Sequence, residues 1–390
     1  MQNLEEKNVE GENVLLRTDI NLPIEDGEPQ PTVRFERYMK TIQELSDRGA
    51  RTMVIAHQGR PARNDFLSLE EHSRLMAENL GQNVRFVQSF FGPQLGDAVA
   101  SMDNGDVVLL ENIRFLSEEL QNVSADHHAH DYFVQNIQKY FDLYVNDAFS
   151  AAHRSHGSLV GFNTELDCYS GPVMRKELES CKQVRDDLDN PLLVLGGEKP
   201  SDVIGMMAEM IDRVDKVLLG GIPGELALII KGNNLGEKEG WIKKNGFDSS
   251  KSDLRKLLEE HGEKIMLPKD LKTESGNYKP SEVPEDEMTW DIGEETEQEY
   301  VQLIEDADSL VMKGPMGAFE DHPEGTKGVV DAIAKSDVYS VLGGGHTSSL
   351  VQRFDHEIED FEHISIAGGA FVRYMSGEEL PAIKALTQKC

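Results

Sequence analysis

Basic residues are scarce in this 390-residue chain: 39 lysines and arginines stand against 71 aspartates and glutamates, a formal net charge of −32 at pH 7. Such a surface repels phosphate at long range, which argues against non-specific nucleic-acid binding. Cysteine is nearly absent: Cys168, Cys181 and Cys390 show no CxxC and no metal-ligand spacing. Neither a disulfide framework nor a zinc module is expected, and a reduced, cytoplasmic setting fits best. No run of about 18 apolar residues occurs, and the first residues, MQNLEEKNVEG, hold no apolar stretch of a secretion signal. Secretion and membrane spanning are therefore not expected. The Walker pattern GxxxxGK[ST] is missing, as is GxGxxG with an acid about 20 residues further on, which argues against a P-loop kinase and a dinucleotide dehydrogenase.

The acidic surplus is spread along the chain rather than held in a tail. It suits a surface built for high salt, where counterions screen self-repulsion and carboxylates hold water; an ordinary acidic protein is the alternative. The length suits two domains, each with its own core.

Short apolar runs alternate with longer stretches of helical period: NVLLRTD then RFERYMKTIQELSDRG, TMVIAHQG then SLEEHSRLMAENLG, VVLLENIRF then HDYFVQNIQKYF, then LYVNDAF. Nearly continuous apolar strands in a βαβ rhythm predict a parallel sheet covered on both faces. Gly49 and Gly81 stand where helix C-caps belong. A second series follows a predicted helix, Pro172 to residue 189: PLLVLGG, IGMMAEMIDRV, KVLLGG, GELALIIKG, KIMLP, DSLVMKGPMG, TKGVVDAIAKS, VYSVLGGG and HISIAGGA. The expected fold is α/β, two doubly wound parallel-sheet domains of Rossmann-like type joined by that helix and a hinge. The acidic stretch from Glu274 to Glu295 is expected to be a surface excursion.

In the first series, polar residues able to hold an anion follow the apolar strands. Arg17, Asp19 and Asn21 follow NVLL; His57 and Arg60 follow TMVIA; Arg114 follows VVLLEN; Asn146, Asp147, His153 and Arg154 follow LYV; and Arg34 lies after the first strand. Strand C-terminal ends in an open parallel sheet share one edge, where ligands bind. Taken singly, each Arg or His is more often a surface residue or a local ion-pair partner. As a set, five arginines and two histidines in a chain this short of cations ask for a small, multiply charged anion, because guanidinium matches phosphate and carboxylate bidentately.

In the second series the strand ends carry glycine instead: VLGGEK, LLGGIPG, KGPMG, LGGGHTSS and IAGGA. Glycine lets backbone N–H groups approach a ligand, and a helix starting after the turn adds its positive dipole end. One such turn is weak, since many αβ loops carry it without a ligand; five on one edge argue for a nucleotide. An anion-binding domain and a nucleotide-binding domain joined by a helix have the layout of a hinge-closing phosphotransferase.

Seven segments, in order, carry a resemblance: RTDINLP from Arg17, HQGRP from His57, LENIRF from Leu110, VNDAFSAAHRSH from Val145, LGGEKPSD from Leu195, KGPMGAFE from Lys313 and GGGHTSS from Gly343. Together they resemble phosphoglycerate kinase, most closely its archaeal type. The resemblance implies reversible phosphoryl transfer from 1,3-bisphosphoglycerate to ADP, giving 3-phosphoglycerate and ATP with Mg²⁺. Asp19, Asn21, Arg34, His57, Arg60, Arg114 and Arg154 then match the phosphoglycerate site, with Arg17 and His153 as further candidates. Lys199, Gly220, Gly221, Gly314, Glu320, Gly344, Gly345, His346 and Thr347 match the nucleotide site: the Gly220–Gly221 pair the adenine pocket, Glu320 the ribose, the last turn the phosphates. Arg34 and Lys199 are the candidate catalytic clamp.

The resemblance also implies domains over 1–171 and 190–371, the interdomain helix over 172–189, and a C-terminal segment, 372–390, that returns to the first domain. A monomer without nucleic-acid or membrane partners is expected. The chain departs from the family where His346 replaces an aspartate that holds the metal, where Val203 replaces a second lysine, where Lys313 replaces an asparagine, and where Ala367 replaces a glycine. No protein ligand for the metal is assigned, and Lys313 is a further nucleotide-site candidate that can supply the cation Val203 removes. The alternative is a non-catalytic or altered-specificity relative that binds nucleotide and a phosphorylated acid. His72, His261, His356 and the cluster His127, His128 and His130 are expected on the surface.

Overall fold

The apolar runs that carry no charge for four or five residues become the central strands of two parallel sheets. The structure, a computed structural model, describes all residues except 165, 189, 345–349, 352 and 389–390, and of residues 164 and 187 it describes the backbone alone. The first sheet has seven strands in the order Gln2–Asn3, Asp167–Ser170, Leu143–Asn146, Asn13–Arg17, Arg51–Ile55, Val107–Leu110 and Val84–Val87, every pairing parallel. The second has six, in the order Ile265–Met266, Val217–Leu219, Leu192–Leu195, Ser309–Lys313, Tyr339–Gly343 and His363–Ile364, again parallel. Both are doubly wound α/β sheets.

The helices bury the faces that their periodicity marks. Thr32 accepts the Phe35 N–H at 3.3 Å and starts helix Val33–Asp47, which turns Phe35, Tyr38, Met39, Ile42 and Leu45 inward. Each such large side chain removed from water contributes roughly 1.5–3 kcal/mol. Helix Glu70–Leu80 ends on Gly81 in the left-handed region, as the C-cap pattern predicts. Met206, Met207, Met312 and Met316 are all core residues.

The chain divides into two compact units, Met1–Glu179 with the segment from Glu379 onward, and Ser180–Glu378. Helix Pro172–Lys182, followed by a π-helical turn Gln183–Asp187, carries the chain from one to the other. The return occurs after Glu378, later than residue 372, because helix Gly368–Met375 packs beside helix Pro200–Met210 in the second unit. Helix Pro381–Thr387 then joins the first unit, where the Ala382 N–H donates to the Ala152 carbonyl at 3.1 Å.

Five expectations need correction, one stretch and four histidines. The stretch from Glu274 to Glu295 is more than a surface excursion: it supplies strands Asn277–Tyr278 and Asp291–Ile292 to a three-stranded antiparallel sheet, and it buries Thr289, Asp291 and Ile292. His72 is buried, because it shares the inward face of its helix with Met76, and its Nε2 lies 3.0 Å from Gln58 Oε1. His128 is fully buried, with Nδ1 2.5 Å from Asp131 Oδ2 and Nε2 close to the Gln121 and Ser155 carbonyls. His356 is half-buried against Asp331 Oδ1 at 2.8 Å, and His261 is half-buried near Asp212. For His72, His128 and His356 a polar partner on at least one ring nitrogen offsets part of the cost of taking the ring out of water.

Candidate active site

At the C-terminal ends of the first sheet's strands lies a cleft of about 600 Å³ whose wall includes Asn21, His57, Arg60, Arg114 and Arg154. Five of the predicted residues thus meet in one concavity, on the edge where open parallel sheets bind ligands. Arg17, Asp19, Arg34 and His153 do not line it.

Arg17 is 1% exposed, and its guanidinium is fully engaged. Nε donates to Ser158 Oγ at 2.9 Å, one terminal nitrogen to the Thr18 carbonyl, and the other to His57 Nδ1 at 2.9 Å. Ser158 passes the contact on: its hydroxyl and its N–H donate to the buried Glu119 carboxylate at 2.8 and 2.7 Å. Arginine has no acceptor, so His57 Nδ1 must accept and the ring proton must sit on Nε2. Burial, reinforced by Arg17, Arg114 and Arg154, holds the His57 pKa well below its ordinary value, although Asp19 opposes this. His57 is therefore a neutral ring in the cleft wall with a fixed donor tautomer.

Two buried carboxylates balance the cations. Burial disfavours the Asp19 anion, yet its pKa lies well below the usual carboxylate range. Arg34, 3.5 Å away, Arg17 and the Ser150 hydroxyl outweigh burial, and His57 adds to them only at low pH, where it is protonated. Asp19 also accepts the Asn21 N–H at 3.1 Å, and Asn21 Oδ1 accepts the Gly59 N–H at 2.8 Å, so one carboxylate organises Arg34 and the cleft wall together. Burial likewise opposes Glu119, but His156, Arg17 and the Ser158 N–H lower its pKa. Arg114 donates to the Gly59 carbonyl, and burial, with Arg154 and Arg17 nearby, lowers its pKa to about 10. It stays cationic at pH 7, and its Nε is buried without a partner among the described residues.

The supporting residues are ones that sequence reasoning passes over. Gln58 accepts from the Leu22 N–H at 2.9 Å and lies 3.0 Å from His72 Nε2, while its own amide donates to the Leu22 and Asp65 carbonyls. Asn112 donates to the Gln58 and Leu67 carbonyls at 2.8 Å. Gly59 has φ +64°, and a Cβ there would sit 2.2 Å from the Asp65 carbonyl oxygen, so only glycine fits. Ala62, in the cleft wall, also adopts φ +64° without being glycine, the kind of strain that marks functional loops. The sequence signal for Gln58, Gly59 and Asn112 is their place inside the HQGRP and LENIRF segments, and Ala62 follows the first of these directly. Asp147 has a structural role: it accepts the Thr41 hydroxyl and the Met174 N–H and so anchors the start of helix Pro172–Lys182, with burial raising its pKa to about 6.

In the second unit the glycine-bearing ends of four strands converge. The Gly196 N–H donates to the Lys313 carbonyl at 2.8 Å, Gly197 to Pro315 at 2.7 Å and Gly220 to Leu195 at 2.9 Å. Gly314 has φ +76°, and a Cβ there would meet the Gly196 carbonyl at 2.6 Å. Much of the glycine is therefore spent on packing one loop backbone against the next. Lys199 is exposed and caps helix Pro200–Met210, and the Gly220–Gly221 pair opens helix Gly221–Ile230. Glu320 is exposed, and Gly344 ends strand Tyr339–Gly343. Gly345, His346 and Thr347 lie outside the described residues. Among the described residues no group of three or more His, Cys, Asp or Glu could hold a metal ion, and the donors on this edge are amides and lysines, which suit phosphate rather than a cation.

Comparison with known proteins bears on both halves. The family model described as "Phosphoglycerate kinase" matches residues 4–378. The chain is 42% identical over 385 residues to the phosphoglycerate kinase of Halorubrum lacusprofundi, covering 96% of this chain and 95% of the relative. It is 39% identical over 383 residues to that of Methanopyrus kandleri, covering 96% and 94%. The crystal structure of phosphoglycerate kinase from Pyrococcus horikoshii superposes with a TM-score of 0.93 at 33% identity, covering all of both chains. A nearly full-length match in sequence and fold leaves one conclusion: the chain belongs to the phosphoglycerate kinase family.

Proposed function

We propose that this chain transfers a phosphoryl group reversibly between 1,3-bisphosphoglycerate and ADP, giving 3-phosphoglycerate and ATP, and that the cleft of the first unit binds the phosphoglycerate. The observation that carries the reading is the cleft itself. Arg60, Arg114, Arg154 and a neutral donor histidine line one concavity in a chain of net charge −32. Guanidinium groups suit the substrate's phosphate, and His57 Nε2–H and Asn21 suit its oxygen atoms without adding charge.

The chemistry needs no base. Towards ATP consumption, a carboxylate oxygen of 3-phosphoglycerate attacks the γ-phosphorus in line. The new O–P bond forms as the bond to the bridging oxygen breaks, and the electron pair leaves with ADP. A carboxylic acid of ordinary pKa, about 4, is already ionised at pH 7, so no proton has to be removed. What the protein supplies is position and positive charge around the moving group. Arg34, held through Asp19, and Lys199 are the proposed clamp.

Lys199, Lys313, Gly220, Gly221, Gly314, Glu320 and Gly344 are the proposed nucleotide contacts, as are Gly345, His346 and Thr347, which follow in sequence. Mg²⁺ enters with the nucleotide as part of the substrate. It takes oxygen ligands, so phosphates and water hold it rather than His346. We read the protein as a monomer of the cytoplasm, with small-molecule substrates and neither nucleic acid nor membrane as partner.

A coupled assay with 3-phosphoglycerate and MgATP at several KCl concentrations tests the activity, and no turnover at any salt rejects it. Arg114→Ala tests the site: the KM for 3-phosphoglycerate should rise at least tenfold while that for ATP stays within twofold, and equal effects on both would remove the cleft from the reading.

A further inference from the structure

Helix Val33–Asp47 carries two polar side chains one turn apart, Arg34 and Tyr38. Arg34 is half-buried and lies 3.5 Å from Asp19. Tyr38, on the inward face, is fully buried, and among the described residues its hydroxyl has no hydrogen-bond partner. A phenylalanine would fill the same space without the cost of a buried, unmade hydrogen bond. The hydroxyl is therefore open to a bond that the ligand-free molecule does not make.

Its surroundings identify that bond. Burial, and then the Asp19 and Asp147 carboxylates, hold the Tyr38 pKa well above its ordinary value, while Arg34 and the Ser150 hydroxyl oppose them. The group thus keeps its proton and acts as a donor. Asp147 is already supplied: it accepts the Thr41 hydroxyl at 2.7 Å and the Met174 N–H at 2.8 Å, both from residues set in helices. Asp19 is supplied less securely. It accepts the Asn21 N–H and the Ser150 hydroxyl, and Arg34 is its ion-pair partner. At 3.5 Å that pair is longer than the roughly 2.7–2.9 Å of a charge-assisted hydrogen bond. The Arg34 side chain is also 27% exposed against 4% for Asp19, so Arg34 is the partner able to leave.

Ser150 joins the tyrosine to the carboxylate. Its one hydroxyl proton goes to Asp19 Oδ2, so towards Tyr38 it can only accept. It lies near enough to act on the Tyr38 hydroxyl, although the two are outside hydrogen-bonding geometry in the ligand-free molecule. A bond between them makes a chain running one way, hydroxyl to hydroxyl to carboxylate, in which each bond strengthens the next.

We infer that Tyr38 is a positioning residue for the phosphoryl transfer: when Arg34 turns from Asp19 to the moving phosphoryl group, the Tyr38 hydroxyl closes onto Ser150 and holds Asp19 in place. This rests on the kinase reading above, with Arg34 as part of the clamp. A buried carboxylate that loses its guanidinium draws the arginine back, so a replacement donor lowers the cost of releasing Arg34. That help is given in the transition state and not on binding, where the cleft residues hold 3-phosphoglycerate.

Tyr38→Phe tests it. The ring keeps its packing and loses a buried hydroxyl without a partner, so the ligand-free protein should unfold at the wild-type temperature or above. Affinity for 3-phosphoglycerate by titration calorimetry should stay within twofold, because Tyr38 does not line the cleft. The kcat should fall roughly 10-fold, the scale of one hydrogen bond serving a charged group. Ser150→Ala breaks the same chain, so adding Tyr38→Phe to it should lower kcat by less than a further twofold. A kcat within twofold of wild type in Tyr38→Phe overturns the inference. So does a loss of ligand-free stability or of 3-phosphoglycerate affinity that matches the loss of kcat, which would make the hydroxyl structural. A further loss of about 10-fold in the double variant also overturns it, since Tyr38 would then act apart from Ser150. Wild-type protein that never turns over 3-phosphoglycerate and MgATP overturns the kinase reading and this inference with it, whereas an active wild type beside an unimpaired Tyr38→Phe overturns this inference alone.

Discussion

Replacing Arg17 by glutamine would weaken 3-phosphoglycerate binding although Arg17 lies behind the cleft wall. The guanidinium holds His57 Nδ1 as an acceptor, ties to Glu119 through Ser158, and helps to keep Asp19 ionised. Glutamine removes the charge and cannot reach three partners. The ring of His57 then loses its fixed orientation, and Nε2 its enforced proton. With one fixed positive charge also gone from beneath the site, binding should weaken about tenfold, or ~1.4 kcal/mol. Stability should fall more, by roughly 3–5 kcal/mol, because Glu119 and Asp19 remain buried with fewer counter-charges. Arg17→Lys keeps the charge but not the fork, so it should recover part of the stability and little of the affinity. The assay pairs the KM for 3-phosphoglycerate with ¹⁵N spectra of the histidine rings. Wild-type His57 should show a bare Nδ1 and a protonated Nε2 from pH 6 to 8. Finding the proton on Nδ1, or a charged ring at pH 7, would refute the reasoning at its root, whatever the KM does.

Gly59→Ala places a methyl 2.2 Å from a backbone oxygen at φ +64°, so the HQGRP turn must move and kcat/KM for 3-phosphoglycerate should fall about 100-fold; an unchanged value would mean that the turn yields freely. Asp291 is buried, its pKa raised to about 7 by that burial against the hydrogen bonds it accepts from the Ile292 and Thr326 N–H groups. A folded-state pKa above the unfolded value of about 3.9 means that its contribution is fully present at low pH and is lost as pH rises through 7. The stability difference between wild type and Asp291→Asn should therefore shrink by up to about 4 kcal/mol from pH 4 to pH 8, and a pH-independent difference in urea unfolding would exclude this. With a net charge of −32, the unfolding temperature should rise between 0.1 and 2 M KCl as the screening length drops from about 10 Å to about 3 Å or less; a flat profile would show that the acidic surface is not adapted to salt.

The parts of the fold legible in sequence are those where one face or both faces of an element are continuously apolar. NVLLR, TMVI and VVLL are strands because nothing polar interrupts them, and both sheets could be built from such runs. Val84–Val87 and Asp167–Ser170 escape the pattern: VRFV keeps a charge at its second position and DCYS opens on one, since a strand needs to bury only part of itself when an edge or end meets water. His72 and His128 are not legible as buried for a related reason. A histidine carries no mark of burial in its own identity; that depends on a partner such as Gln58 or Asp131 arriving from elsewhere in the fold or from the next turn. The cleft residues were legible as a set because each cation follows a strand in a chain that has few of them. What could not be read is which cations face the ligand and which face the protein.

That division follows from charge balance. Each buried cation in the first unit must be offset by a carboxylate, a carbonyl or a ligand. Arg17 has two hydrogen-bond partners in the protein besides His57, and it lies at the meeting point of Asp19 and Glu119. It is spoken for, and its role is to orient. Arg114 has one carbonyl and, among the described residues, a buried Nε with no acceptor; it is incompletely satisfied there and so is open to an anion. On the proposed reading, a cation whose hydrogen-bonding capacity the fold leaves unfilled is a candidate to bind the ligand. Sequence supplies the set of cations, and only the accounting of partners divides it into those that bind and those that support.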